Sequence, residues 1–126
     1  MSKPTVAILG ASSNREKFGN ISVRAHLQCG YEVFPINPKA STIEELPVYA
    51  SLSDLPGKEV DRISVYLPPK ILLSMLDEIA DTKHKELWLN PGTDSPEVLA
   101  RAKELGLETI CDCSIVDLGI SPADVH

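Results

Sequence analysis

Short apolar runs alternate with amphipathic helical patterns along most of this 126-residue chain. This alternation constrains the fold more than any other feature. The apolar runs predict five strands, at residues 5–9, 31–36, 62–67, 86–89 and 107–111. Between these runs, apolar residues recur at spacings of three and four, which predicts helices with one buried face. Strands that alternate with helices form a mostly parallel sheet covered by helices on both faces. We therefore expect an α/β fold.

The chain length suits one domain spanning residues 1–126, with a core at about residues 4–116. Right-handed crossovers between parallel strands lead to a doubly wound sheet. We expect a single Rossmann-like domain with a five-stranded parallel sheet in the order 3-2-1-4-5, the predicted strands being numbered along the chain. Ligands of such sheets bind beyond the carboxyl ends of the strands. The expected order places this site near the switch point between the first and fourth predicted strands.

Charge and composition exclude several classes of function. Twelve basic and eighteen acidic residues give a net charge of -6, which argues against binding to nucleic acid. We expect no secretory signal and no membrane span, because no apolar run approaches the required length of about 18 residues. Three cysteines are an odd number and do not suggest a disulfide framework. We therefore expect a cytoplasmic protein, and no spacing of residues predicts a metal site.

The loop after the first predicted strand has the character of an anion site without the usual glycines. Residues 10–13 have small side chains, but the next glycine is Gly19, so the dinucleotide spacing G-x-G-x-x-G is missing. Backbone N–H groups in this loop could surround a phosphate. Arg15 and Lys17 add positive charge to the same loop.

The end of the second predicted strand discriminates between nucleotides. NAD-binding domains usually place an acidic residue there to hold the ribose hydroxyls. This chain has Asn37, Pro38 and Lys39 instead. A lysine would attract a phosphorylated ribose, which leaves NADP and coenzyme A as the two candidates at this point.

The remaining predicted strand ends carry prolines and small residues. Residues 66–69 end in two prolines, residues 90–92 are Asn-Pro-Gly, and Cys113 lies near the end of the last strand. Because the carboxyl ends of parallel strands lie on one edge, we expect these segments to border a single crevice.

These segments together resemble a known family. The motifs VAILGASSN…FGN, VFPINPK, SVYLPP, WLNPG and a final Cys-Ser resemble the stand-alone CoA-binding domain proteins of bacteria and archaea. Those proteins are similar to the amino-terminal domain of the α subunit of succinyl-CoA synthetase. The resemblance covers about residues 4–116.

The resemblance implies coenzyme A as the cofactor and a role for each segment. Residues 10–13 would meet the pyrophosphate, and residues 18–20 would complete the anion site. Residues 37–39 would meet the adenosine end, with the lysine near the 3′-phosphate. Residues 66–69 would line the adenine and pantetheine path, and residues 90–92 would border the pantetheine arm.

The expected cofactor-binding residues all belong to the segments that we expect to border the crevice. They are Gly10, Ala11, Ser12, Ser13, Arg15, Lys17, Phe18, Gly19, Asn20, Asn37, Pro38, Lys39, Tyr66, Leu67, Pro68, Pro69, Asn90, Pro91, Gly92 and Cys113. Cys113 is included because a strand-end position would bring it near the pantetheine thiol.

We expect a CoA-binding protein that is non-catalytic by itself and acts as a sensor or carrier of CoA or acyl-CoA. Synthetase chains continue into a domain with a phosphorylated histidine, which has no counterpart in these 126 residues. Two alternatives stay open: an NADP- or NAD-binding redox regulator, and a subunit of an acyl-CoA-handling enzyme. A protein partner or a homo-oligomer also stays open.

Overall fold

A parallel sheet forms the centre of the protein in a computed structural model that describes residues 3–126. The six strands are β1 (Thr5–Leu9), β2 (Glu32–Ile36), β3 (Thr42–Ile43), β4 (Leu46–Pro47), β5 (Arg62–Val65) and β6 (Glu86–Leu89). Four of them form the parallel sheet in the order β2-β1-β5-β6, and β3 pairs with β4 in an antiparallel ribbon. The predicted α/β class with a parallel sheet is therefore confirmed.

Helices cover both faces of this sheet. They are α1 (Phe18–Gln28), α2 (Pro69–Ala80), α3 (Pro96–Glu104) and the short α4 (Ser114–Asp117). Single 3₁₀ turns occupy Leu52–Asp54, Pro56–Lys58 and Pro122–Asp124. Local chemistry defines the helix ends: Ser95 accepts a hydrogen bond from the Val98 N–H at 3.1 Å and caps α3. Gly30, at a φ of +85°, follows the end of α1, where a left-handed residue closes the helix.

Two apolar cores lie on opposite faces of the sheet. On one face, α2 and α3 pack on the sheet through fully buried side chains such as Leu72, Leu76 and Val98. On the other face, Val23 of α1 packs against Val6 and Ile8 of β1. The central strand β1 is thus buried from both sides, which explains its continuous apolar sequence. No helix among residues 3–126 is long and apolar enough to cross a membrane.

The predicted fifth strand is wrong. Residues 107–111 contribute one bridge, between Ile110 and Trp88, so the parallel sheet has four strands. Ile110 exchanges two backbone hydrogen bonds with β6, from its N–H to the Leu87 carbonyl and from the Leu89 N–H to its own carbonyl. The chain then turns away because the Ser114 N–H and hydroxyl bond to the buried Asn90 side chain. Pairing therefore stops after one residue.

The predicted strand order is also wrong. The expected order places the third predicted strand, residues 62–67, beyond the second, but β5 pairs with β1 on the other side, with Val6 opposite Arg62. The place beyond β2 is taken by Tyr49, which forms a single bridge with Ile36. Residues 42–58 contain a short ribbon and 3₁₀ turns instead of a crossover helix, and the only sequence signal for the bridge is the short apolar pair Val48-Tyr49. The switch point consequently lies between β1 and β5.

Candidate functional site

One open cleft of about 760 Å³ runs along the carboxyl edge of the sheet. The loops after β1, β2, β5 and β6 all contribute to it. Its lining residues are Leu9, Gly10, Ala11, Ser12, Lys17, Phe18, Gly19, Ile36, Asn37, Pro38, Ala50, Ser51, Tyr66, Leu67, Pro68, Pro69, Met75, Glu78, Pro91, Gly92 and Thr93. This is the edge at which parallel α/β sheets bind their ligands.

The loop after β1 is pressed against the start of α1. A Cβ atom placed on Gly19 would lie 2.2 Å from the Gly10 carbonyl oxygen, so only glycine fits there. Asn20, which is buried, donates a hydrogen bond to the Ser12 carbonyl at 2.9 Å and fixes the loop from below. Phe18 and Gly19 lie in the first helical turn, whose N–H groups lack intrahelical acceptors, and both line the cleft. This arrangement is suited to an anion.

The loops after β1 and β2 are joined by a hydrogen bond. The Asn37 side-chain nitrogen donates to the Ala11 carbonyl at 2.9 Å. The Asn37 side-chain oxygen accepts from the Lys39 N–H at 2.7 Å and from the Ala40 N–H at 3.2 Å. The asparagine therefore fixes the relative positions of two segments that line the cleft.

The basic residues of these loops have different positions. Lys17 lines the cleft. Arg15 is exposed and forms an ion pair with Glu44 at 3.5 Å, so its charge is directed away from the lining. Lys39 is exposed and lies just beyond Pro38, at the lip of the cleft rather than inside it.

Tyr66 connects the cleft to a buried polar network. Its hydroxyl lies 3.0 Å from the Ser114 hydroxyl, and burial raises the pKa of this tyrosine above its usual value. Ser114 also lies 2.7 Å from the Ser64 hydroxyl. The amide of Asn90 donates to Ser64 at 2.9 Å and to the Val65 carbonyl at 2.8 Å. One wall of the cleft is thereby fixed to α4 and to the ends of β5 and β6.

A second buried cluster lies along the same face of β5. Arg62 donates to Asp117 at 2.6 Å and to Glu86 at 3.0 Å, and its guanidinium lies 4.8 Å from the centre of the Trp88 ring. Burial opposes the charge of Arg62, but the bonds to Asp117 and Glu86 outweigh it and raise the pKa. Burial lowers the pKa of the adjacent His26 to about 4, so its ring is neutral at pH 7.

Most of the residues predicted from the sequence line this cleft. Those placed elsewhere are Ser13, Arg15, Asn20, Lys39, Asn90 and Cys113. Asn20 and Asn90 are buried beneath it and hold its loops. Cys113 is half-buried and precedes Ser114, and all three cysteines are free thiols. Ser13 is exposed.

The sequence did not predict seven of the lining residues, namely Leu9, Ile36, Ala50, Ser51, Met75, Glu78 and Thr93. Ala50 and Ser51 follow the one-residue bridge at Tyr49, and the apolar pair Val48-Tyr49 was the available signal for it. Nothing in the helical pattern distinguishes the cleft side of α2, because Met75 and Glu78 flank its buried stripe. Among residues 3–126, no group of three or more His, Cys, Asp or Glu could hold a metal ion.

Comparison with family models identifies one match over nearly the whole chain. The model described as "CoA binding domain" matches residues 4–119. A solved structure of a conserved hypothetical protein from Pyrococcus furiosus has a TM-score of 0.80 and 34% identity, covering 92% of this chain and 99% of that one.

Two curated relatives differ greatly in length. The uncharacterized protein YneT of Bacillus subtilis is 24% identical over 110 residues, which are 87% of this chain and 81% of the relative. The ADP-forming acetate–CoA ligase II of Archaeoglobus fulgidus is 37% identical over 78 residues. That match covers 60% of this chain but only 11% of the ligase.

Proposed function

The chain belongs to the CoA binding domain family, and on that premise we propose that it binds coenzyme A or an acyl-CoA in the cleft at the carboxyl edge of its sheet. In this proposal it is a binding module, without catalysis of its own, that acts as a sensor or carrier of CoA. The observation that carries the proposal is the continuity of the cleft, which extends from the loop after β2 to the loop after β6.

The shape of the cleft suits a long ligand. Neighbouring strands lie about 4.8 Å apart, so the three intervals from β2 to β6 span roughly 14 Å. A ligand that reaches across all four loops must therefore be extended. Coenzyme A has an adenosine end, a pyrophosphate and a flexible arm in a linear order that matches such a path.

The charges and the backbone support one orientation of the ligand. The loop at residues 10–12, the start of α1 and Lys17 would hold the pyrophosphate. Lys39 at the lip would reach the 3′-phosphate of the ribose. Pro91 and Gly92 would border the pantetheine arm on the β6 side.

The surroundings of Tyr66 favour a binding role over proton transfer. Tyr66 contacts the cleft, but burial raises its pKa, so it stays protonated at neutral pH and releases its proton reluctantly. Its hydroxyl is already engaged with Ser114. We therefore assign Tyr66 to the wall of the site.

A second candidate function is a subunit of an acyl-CoA-handling enzyme. The similarity to part of an ADP-forming acetate–CoA ligase favours it. This candidate predicts that turnover appears only when a second protein is added, whereas a sensor or carrier needs no second protein to bind CoA.

The cytoplasmic location of the protein remains a prediction.

Thermal unfolding with CoA, dephospho-CoA, NADP and NAD tests the proposal. A ligand at a hundredfold excess over its Kd stabilises a protein by about 2.7 kcal/mol, which gives a measurable rise in Tm. We expect the largest rise with CoA. A larger rise in Tm with NADP or NAD would show that the ligand is a dinucleotide rather than CoA. The absence of a change in Tm with CoA would refute the proposed function.

A further inference from the structure

Glu78 is a carboxylate among the lining residues of the cleft. It lies on α2, where its Oε1 atom accepts a hydrogen bond from the Ser53 N–H at 3.2 Å. Within residues 3–126 no second hydrogen bond or ion pair engages this carboxylate. The bond to Ser53 holds one oxygen in place and leaves the other for a ligand.

The position of Glu78 identifies the part of the cleft to which it belongs. Ser53 lies in the turn Leu52–Asp54, which follows the bridge between Tyr49 and Ile36 at the outer side of β2. Glu78 therefore lies on the β2 side, away from the loop after β6. Met75, one helical turn before Glu78, lines the same cleft.

The neighbouring lining is largely apolar. Ile36, Pro38, Ala50 and Leu67 line the cleft with Met75, and they offer flat hydrocarbon surface. A negative carboxylate repels a phosphate group, so the pyrophosphate of a ligand belongs beside Lys17 and the 3′-phosphate beside Lys39, not at Glu78. An apolar slot with one carboxylate fits an aromatic ring that carries an N–H donor.

We propose that Glu78 accepts a hydrogen bond from the 6-amino group of the adenine ring and selects 6-aminopurines over 6-oxopurines. This inference rests on the proposed function, because it assigns a specificity residue to the same cleft. A 6-oxopurine would present a carbonyl oxygen to the carboxylate, and two acceptors repel each other.

Titration calorimetry with two ligands tests this assignment. One ligand is CoA, and the other is the CoA analogue in which hypoxanthine replaces adenine. For the wild-type protein we expect CoA to bind about 10- to 100-fold more tightly than the analogue, as for a hydrogen bond to a charged group. The two rings have nearly the same size and differ only along one edge, where hypoxanthine has a 6-oxo group and an N1–H in place of the 6-amino group and unprotonated N1 of adenine.

The variant Glu78→Gln keeps the size of the side chain and an oxygen for the Ser53 N–H. Its amide nitrogen would face the adenine amine, and we expect the preference for CoA to fall to about twofold or less. Asp81→Asn is the matched control, since Asp81 is an exposed residue at the end of α2 and its replacement removes the same charge outside the cleft. This control should retain the full preference.

The outcomes separate the two proposals. If the wild-type protein binds CoA and its hypoxanthine analogue equally, or if Glu78→Gln keeps the wild-type preference, the assignment of Glu78 is refuted while CoA binding stands. If the wild-type protein binds neither ligand, the proposed function fails and the role of Glu78 falls with it. Thermal unfolding of each variant verifies that it is folded.

Discussion

The hydroxyl of Tyr66 lies 3.0 Å from the hydroxyl of Ser114, so a residue that lines the cleft is bonded to the first residue of α4. The two residues are 48 positions apart in the chain. Asn90 completes the connection by accepting hydrogen bonds from both the N–H and the hydroxyl of Ser114. The wall of the cleft and the carboxyl-terminal helix thus share one buried polar network.

Replacing Asn90 by alanine is expected to destabilise the protein by about 2–4 kcal/mol, because the buried partners of a multiply bonded amide would be left unsatisfied. The measurement is urea unfolding followed by circular dichroism. Asn14→Ala is the control, since Asn14 is an exposed loop residue with one local bond to the Glu16 N–H. A loss below about 0.5 kcal/mol for Asn90→Ala would contradict the importance of the network.

His26 is expected to make the free energy of unfolding depend on pH below neutrality. Its pKa is about 4 in the folded protein against 6.5 for a free side chain, because burial disfavours the imidazolium. Arg62 also lowers the pKa, while the bond to the Ser22 carbonyl and the charge of Asp117 raise it. The unfolded chain therefore binds the proton first as the pH falls. Stability contributed by neutral His26 is complete above pH 6.5 and is lost as the pH falls towards 4.

The expected loss from this histidine between pH 7 and pH 5 is about 2 kcal/mol. Urea unfolding at the two pH values measures it. His26→Gln removes the titrating ring, so the variant should have a lower stability at pH 7 but a flatter pH dependence. An equal slope in the variant and the wild-type protein would show that other groups cause the loss.

Replacing Gly19 by alanine is expected to cost about 2 kcal/mol or more, since the added Cβ would meet the Gly10 carbonyl at 2.2 Å. Neither backbone segment can withdraw without disturbing the loop that lines the cleft. Gly30→Asn is the control, because Gly30 has a φ of +85° but open space around it, and asparagine tolerates that backbone conformation. Thermal unfolding of both variants compares their stabilities. Equal losses of stability would show that the close approach of Gly19 to Gly10 is not the constraint.

Replacing Lys39 by alanine is expected to weaken the binding of CoA by about fivefold, as for an exposed charge pair. Binding of dephospho-CoA, which lacks the 3′-phosphate, should be unchanged. Calorimetry with the two ligands provides the comparison, and Lys103→Ala on the exposed surface of α3 is the control. An equal loss of affinity for CoA and for dephospho-CoA would show that Lys39 does not contact the 3′-phosphate.

The central strands could be predicted because their apolar runs are local features of the sequence. Pairing at the two outer edges of the sheet, beyond β2 and beyond β6, could not be predicted, because Tyr49 and Ile110 each contribute only one bridge. The departure after Ile110 depends on the bond between Ser114 and Asn90, which are far apart in the sequence. Counting Tyr49 as a strand position would have given the correct place for β5.

Like the fold, the candidate site could be predicted only in part from the sequence. Strand ends are recognisable from glycine and proline, and parallel strands bring them to one edge, so the cleft loops were predictable. The direction of an individual side chain was not: Arg15 is turned towards Glu44, and Glu78 lines the cleft because the turn at Ser53 lies beside α2. Both placements depend on tertiary contacts.

Every strand of the parallel sheet delivers a segment to the cleft, with lining residues spread from Leu9 to Thr93. A molecule that fills the cleft would therefore contact the loops after all four strands at once. No strand could then separate from its neighbours without breaking contacts with that molecule. Occupancy should slow hydrogen–deuterium exchange throughout the sheet, including amides at its amino ends that never touch the bound molecule.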